Sequence, residues 1–177
     1  MSVKFNILGP QDDSSQLNYK GIFDIDTIYR MLREFFESRG FEYHEYNYKS
    51  KEPAVGELEL YWQAWRNDSE FLRVWFNVYV HFENMEPVEV IKDGVKKRMV
   101  RGRLRMRFYP FFELDYEERF EKSKFLETIR DFYIDNIVKK KIQVYGDKEE
   151  YEFFKFIEKF KKELGMGLKG DQFHDMW

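Results

Sequence analysis

Leu72-Arg73-Val74-Trp75-Phe76-Asn77-Val78-Tyr79-Val80-His81-Phe82-Glu83 alternates without a slip. Leu72, Val74, Phe76, Val78, Val80 and Phe82 fall on one parity, while Arg73, Trp75, Asn77, Tyr79, His81 and Glu83 fall on the other. Successive side chains of a strand point to opposite faces, so this stretch reads as a strand with one apolar and one decorated side. A sheet built from such strands needs a cover on its apolar face only.

The same rule extends outward. Residues 57–66 place Leu58, Leu60, Trp62 and Ala64 on one parity and Glu57, Glu59, Tyr61, Gln63 and Trp65 on the other, with Asn67-Asp68 as the turn into the next strand. Residues 41–49 make an earlier strand whose inner face is blurred by Tyr43, His44, Tyr46 and Tyr48. Downstream, Pro87 bounds a strand near Val88 to Lys92, and Asp93-Gly94 is a two-residue hairpin signal. The strand that follows carries Arg101, Arg103, Arg105 and Arg107 on one parity and Leu104, Met106 and Phe108 on the other. Gly102 permits a bulge at Arg101-Gly102. Pro110 is expected to end this strand, or to mark an edge, before the extended residues 111–115.

Helices flank the strands. Asp24 or Asp26 can cap a helix whose apolar side is Ile25, Ile28, Tyr29, Leu32, Phe35 and Phe36, and Gly40 can supply its left-handed terminus. Phe120, Phe125, Leu126, Ile129, Phe132, Tyr133, Ile137 and Val138 recur at helical spacing, and Gly146-Asp147 is expected to separate that helix from one containing Tyr151, Phe154, Ile157, Phe160 and Leu164. The reading is an α+β fold: an antiparallel four- to five-stranded meander packed on one face by an N-terminal helix and two C-terminal helices. Residues 1–18, with Gly9-Pro10 and a polar run, read as a flexible N-terminal arm, 19–164 as a single domain and 165–177 as a C-terminal tail.

Composition narrows the class. A chain of 177 residues is long enough for one substantial core. Its net charge of −3, from 33 acidic and 30 basic side chains, argues against a generally basic coating of nucleic acid and leaves a local basic patch open. Without cysteine there is no disulfide, thiolate metal site or cysteine nucleophile. With neither a signal-peptide pattern nor an apolar run long enough to span a bilayer, the expectation is a cytoplasmic protein. Abundant lysine, glutamate and aromatic residues fit growth at high temperature.

No catalytic signature emerges. His44, His81 and His174 are widely spaced and lack the short ligand patterns of a zinc site. There is no glycine-rich phosphate loop, nucleophile elbow or dinucleotide fingerprint at a strand-to-helix junction. The expectation is a non-enzymatic protein without cofactor or metal. Its candidate binding residues are Arg101, Arg103, Arg105 and Arg107, together with Trp65, Trp75 and Tyr79, whose parity opposes the apolar rows. The arginine row has several readings: neutralisation by Glu57, Glu59 and Glu83 across the sheet, contact with another protein chain, or a track for single-stranded nucleic acid with the aromatics stacking on bases. The acidic run Glu113, Asp115, Glu117, Glu118 and Glu121 could fold back over the arginines, meet them across a symmetric interface, or simply favour a helix start. The function expected from these residues is protein binding or assembly on the decorated face, with the chain itself as one partner in a homodimer. Nucleic-acid binding is the alternative.

Overall fold

The computed structural model describes residues 2–8, 14–51, 56–92, 95–120 and 123–166. In chain order the elements are β1 (Val3–Asn6), β2 (Ser15–Phe23), α1 (Ile25–Ser38), β3 (Glu42–Lys51), β4 (Gly56–Asn67), β5 (Leu72–Lys92), β6 (Val95–Leu114), α2 (Lys124–Tyr133) and α3 (Lys139–Glu163), with a π-helical turn over Ile134–Val138 joining the last two. The fold is α+β, as its sequence reads, with an antiparallel sheet, an N-terminal helix and two C-terminal helices. β3, β4, β5 and β6 form the meander, and the six-stranded sheet runs β1-β6-β5-β4-β3, with β2 also paired to β6.

β1 and the first four residues of β2 fall within the segment expected to be an arm. Val3 pairs with Leu114 and Asn6 with Phe111, while Ser15 pairs with Phe108 and Phe23 with Val100. Leu17 and Ile7 are buried, so both segments contribute to the core. Residues 9–13 and 167–177, the latter most of the expected tail, lie outside the described residues, as does Asp93-Gly94. Lys92 pairs with Val95, the spacing a two-residue hairpin requires.

The inner face is aromatic. Phe76 and Phe108 of the sheet meet Phe35 and Phe36 of α1 and Phe153 and Phe156 of α3, with the Phe35 and Phe156 rings 4.2 Å apart between the helices. Full burial of each ring removes enough apolar surface to contribute about 1.5–3 kcal/mol. α1 starts where Asp24 accepts the amide hydrogen of Asp26 and ends at Gly40, whose φ of 69° lets Phe41 N–H reach Phe36 O and Gly40 N–H reach Glu37 O.

The two prolines behave differently from their sequence reading. Pro87 lies within the continuous 21-residue β5, opposite Val100. Among the described residues β4 stops pairing at Met85, so this far part of β5 pairs with β6 alone, and proline is tolerated in such an edge segment. Pro110 sits inside β6, four residues before its end, and pairs with Phe76. Its carbonyl accepts from Ile7 N–H on the side away from β5, so its ring nitrogen also faces that side, where the neighbour changes from β1 to β2. The bulge is real, but its extra residues are on the partner strand. The β5–β6 register slips between Glu83 and Glu86, Asn84 takes φ 51°, and a Cβ on Gly102 would come within 2.9 Å of Glu83 O. Glycine at 102 is therefore needed for close approach to the bulge, while β6 itself runs on without interruption.

The C-terminal helices divide at the π turn rather than at Gly146-Asp147, which lies inside α3. A glycine within a helix costs about 1 kcal/mol, too little to break one held by Phe153, Phe156, Ile157 and Phe160. Ile134, in the π turn, is buried with Leu114 against Val3, Phe5, Phe71 and Leu72. α2 differs from expectation in a further respect. Its apolar residues do not join the core, and none of its ten residues is buried.

Candidate functional site

The register stacks the decorated face into rows. Arg105, His81 and Glu59 lie side by side across β6, β5 and β4, with Asn18 of β2 flanking Arg105. The next row is Gln16, Arg107, Tyr79, Tyr61 and Tyr46, followed by Tyr109, Asn77, Gln63 and His44. Beyond them come Asn6, Phe111, Trp75, Trp65 and Glu42.

The last row is closed on itself. Trp75 stacks on Phe111 with centroids 5.9 Å apart and meets Trp65 at 5.7 Å, and its indole N–H donates to Glu113 at 2.6 Å. The Lys4 ammonium lies 5.2 Å from the Phe111 centroid and the Arg73 guanidinium 5.6 Å from that of Trp75. Trp65 and Trp75 thus lie on the outer face, as their parity requires, but are half-buried by their neighbours.

Much of the arginine charge is answered within the chain. Glu83 accepts from Arg105 at 2.8 Å and from Arg103 at 3.5 Å. Glu57 and Glu59 turn elsewhere: His81 Nε2 lies 2.8 Å from Glu57 and 3.6 Å from Glu59, with His81 Nδ1 3.3 Å from Glu83. Glu57, Glu59 and His81 present potential ligand atoms within 4.8 Å of one another, an arrangement already served by these imidazole–carboxylate contacts. Three described members of the acidic run have partners outside the arginine row, and Glu121 lies outside the described residues. Glu113 binds Ser2 and Trp75, Asp115 accepts from the Arg119 amide, and Glu117 pairs with the Arg119 side chain. Arg101 and Arg107 make no salt bridge among the described residues, and both are exposed.

Between the charged and aromatic rows lies a groove of about 750 Å³, lined by Tyr61, Tyr79 and Tyr109 with Asn77, Arg105 and Arg107 among its other walls. Asn77 is only 8% exposed, and its side-chain Oδ1 has no hydrogen-bond partner among the described residues. A buried acceptor left unpaired costs about 1–3 kcal/mol. The Asn77 amide hydrogen-bonds the Tyr61 phenol, which opposes the upward pull that burial and Tyr109 exert on its pKa. Burial raises the Tyr79 phenol as well, followed by the charge of Glu59 and the hydrogen bond to it, with Arg107 opposing. Parity alone placed Tyr79 and the arginines on this face. Tyr61, Tyr109 and Asn77 were missed because their meeting depends on the register of three strands; an amide midway along a central strand was the one local signal.

These phenols imply an alkaline limit to stability. Burial, then Glu45, holds Tyr29 above the ordinary tyrosine range, and burial, then Glu37, does the same for Tyr43. A raised folded-state pKa contributes stability that is complete below the unfolded value of about 10 and is lost as pH rises through the folded value. Urea unfolding midpoints are therefore expected to fall from about pH 9 to about pH 11, while tyrosinate absorbance appears at higher pH in the folded than in the unfolded chain. Coincident tyrosinate titrations in the two states would contradict this.

Among the described residues no helix is long and apolar enough to cross a membrane. No protein-family model matches this chain, and neither a curated protein nor a solved structure gives a match, so the roles of its residues rest on their own geometry.

Proposed function

We propose that the chain is a non-enzymatic assembly protein that pairs with a second copy of itself through α2. The observation that carries this reading is an amphipathic helix none of whose residues is fully buried among the described residues. Phe125, Ile129 and Phe132 form one stripe at i, i+4 and i+7, with Phe125 72% and Phe132 66% exposed. Short helices draw most of their stability from packing an apolar face, which leaves this one in need of a cover. Side chains of this size make a patch of several hundred Å² in all, the scale at which exposed apolar surface marks an interaction site.

The spacing favours a second copy as the cover. Phe125 and Phe132 flank Ile129 almost symmetrically, so antiparallel helices related by a two-fold axis near Ile129 set each Phe125 against the other copy's end of the stripe. The same pairing brings Lys124 of one helix towards the level of Asp131 of the other. The outer sheet face is less suited to this role, because Trp65, Trp75 and Phe111 already stack on one another and Glu83 holds Arg103 and Arg105.

Sedimentation of the full chain from low to high micromolar concentration tests the proposal. The expected result is a dimer that becomes a monomer in the double variant Phe125→Glu, Phe132→Glu, with an unchanged circular dichroism spectrum. A monomeric wild-type chain over the whole range, or a dimer indifferent to both substitutions, would overturn it.

A further inference from the structure

The groove on the outer sheet face is separate from α2 and has a chemistry of its own. Asn77 lines it, and beneath this wall its buried acceptor, Oδ1, has no hydrogen-bond partner among the described residues. Tyr61, Tyr79 and Tyr109 line it with flat phenol rings. At one side stands Arg107, exposed and without a salt bridge among the described residues, with Arg105 beside it in the next row. Arg107 pairs with Tyr79, which places Asn77 at the diagonal position on the neighbouring strand, about 7–8 Å away.

Each feature selects part of a ligand. A phosphate cannot satisfy Asn77 Oδ1, since both are acceptors; an N–H group can. Phenol rings favour a planar partner through stacking and edge contacts, and a guanidinium matches a phosphate with two parallel hydrogen bonds. The groove has the volume of a small-molecule site, and a few polar groups in such a site fix orientation. We propose that it binds a nucleotide unit, with the heterocycle among the three tyrosines, a ring or exocyclic N–H donating to Asn77 Oδ1, and the phosphate on Arg107 with help from Arg105. The charge pattern fits a single unit better than a long polyanion track, because Glu83 already holds Arg103 and Arg105, and Glu59 closes the β4 side.

A nucleotide unit can arrive free or within a single strand, and titration calorimetry on the full chain separates the two sources. The probes are adenosine monophosphate, adenosine, ribose 5-phosphate, inorganic phosphate and a short single strand of deoxyadenylate. Adenosine monophosphate is expected to bind about tenfold or more tightly than either adenosine or ribose 5-phosphate, since ring and phosphate each contribute a contact. Binding of the single strand with none of the mononucleotide also supports the site and assigns the unit to a strand. Arg107→Ala, at an exposed position, should bring the affinity for adenosine monophosphate down to that for adenosine, and Asn77→Leu should weaken binding of both.

No binding of either nucleotide probe at millimolar concentration would overturn the proposal. So would equal binding of ribose 5-phosphate and adenosine monophosphate, or full affinity in Arg107→Ala. The last variant keeps the test decisive if Asn77→Leu fails to fold, and none of these results depends on whether α2 pairs.

Discussion

Phe76→Ala should lower the unfolding free energy by about 3–5 kcal/mol, the range for deleting a fully packed aromatic side chain. Phe76 lies near the start of β5 on the inner face, with ring centroids at 5.0 Å to Phe35, 5.9 Å to Phe36, 6.3 Å to Phe41, 6.2 Å to Phe108 and 5.4 Å to Phe153. Those partners belong to α1, its C-terminal turn, β6 and α3, so one truncation loosens every layer over the middle of the sheet. Collapse into the space is opposed because the surrounding rings are held by one another. In a chain of this length each kcal/mol corresponds to about 2–4 °C in Tm, so a fall of roughly 6–20 °C is expected by calorimetry. Phe76→Leu, which retains most of the volume, should lose less than half as much. A shift of a degree or two for the alanine variant would mean that α1 and α3 are not seated on this face as described.

Arg66→Met is the second large expected effect, and it acts through charge rather than volume. The Arg66 guanidinium donates to Asp68 at 2.5 Å, to Glu149 of α3 at 2.9 Å and to the carbonyl of Arg39 at the end of α1 at 3.1 Å, while lying 4.8 Å from the Phe41 ring centroid. Burial by itself would lower its pKa, but the hydrogen bonds to Asp68 and Glu149 outweigh that and raise it. Methionine preserves much of the stem and removes every bond. Asp68 and Glu149, with side chains 11% and 12% exposed, then lose this partner. Breaking a buried pair in this way costs about 3–5 kcal/mol, and partial access of water to Arg66 puts the expected loss at about 2–4 kcal/mol. Glu149→Gln added to Arg66→Met should recover part of that loss, because it removes one stranded charge. Urea denaturation of the two variants measures both numbers, and a single-variant loss within about 0.5 kcal/mol, the usual range for a surface substitution, would contradict the hub role.

Local pattern carried a good deal of this fold. Strict alternation over 72–83 gave the correct inner and outer sets of β5, and the Asp24 and Gly40 signals marked both ends of α1 because caps are local chemistry. β1 and β2 escaped notice for different reasons. Val3–Asn6 is too short to show a period, and β2 opens in polar residues whose only deeply buried members are Leu17 and Phe23. Gly102 was correctly associated with a bulge, but a glycine that lets another backbone approach looks the same in sequence as one that bulges itself. At α2 the period was right, while its apolar stripe remains exposed, since periodicity reports a face without saying what covers it. For the groove, parity supplied Tyr79, Arg105 and Arg107, whereas Asn77 acquired its position beside Tyr61 and Tyr109 only through tertiary register.

Among the described residues β6 pairs with three other strands, and its two N-terminal partners lie far away in the chain: Leu17 opposes Met106, and Val3 opposes Leu114. During synthesis, β1 and β2 therefore leave the ribosome long before any surface exists to receive them. The meander can form from neighbouring hairpins, but the N-terminal strands must wait for β6, and closing such long loops slows folding. Strands made before the meander are thus the last able to dock. Until then the open edge of β6 is a row of unpaired backbone groups, the stage at which a newly made chain is most exposed to association with other unfinished copies.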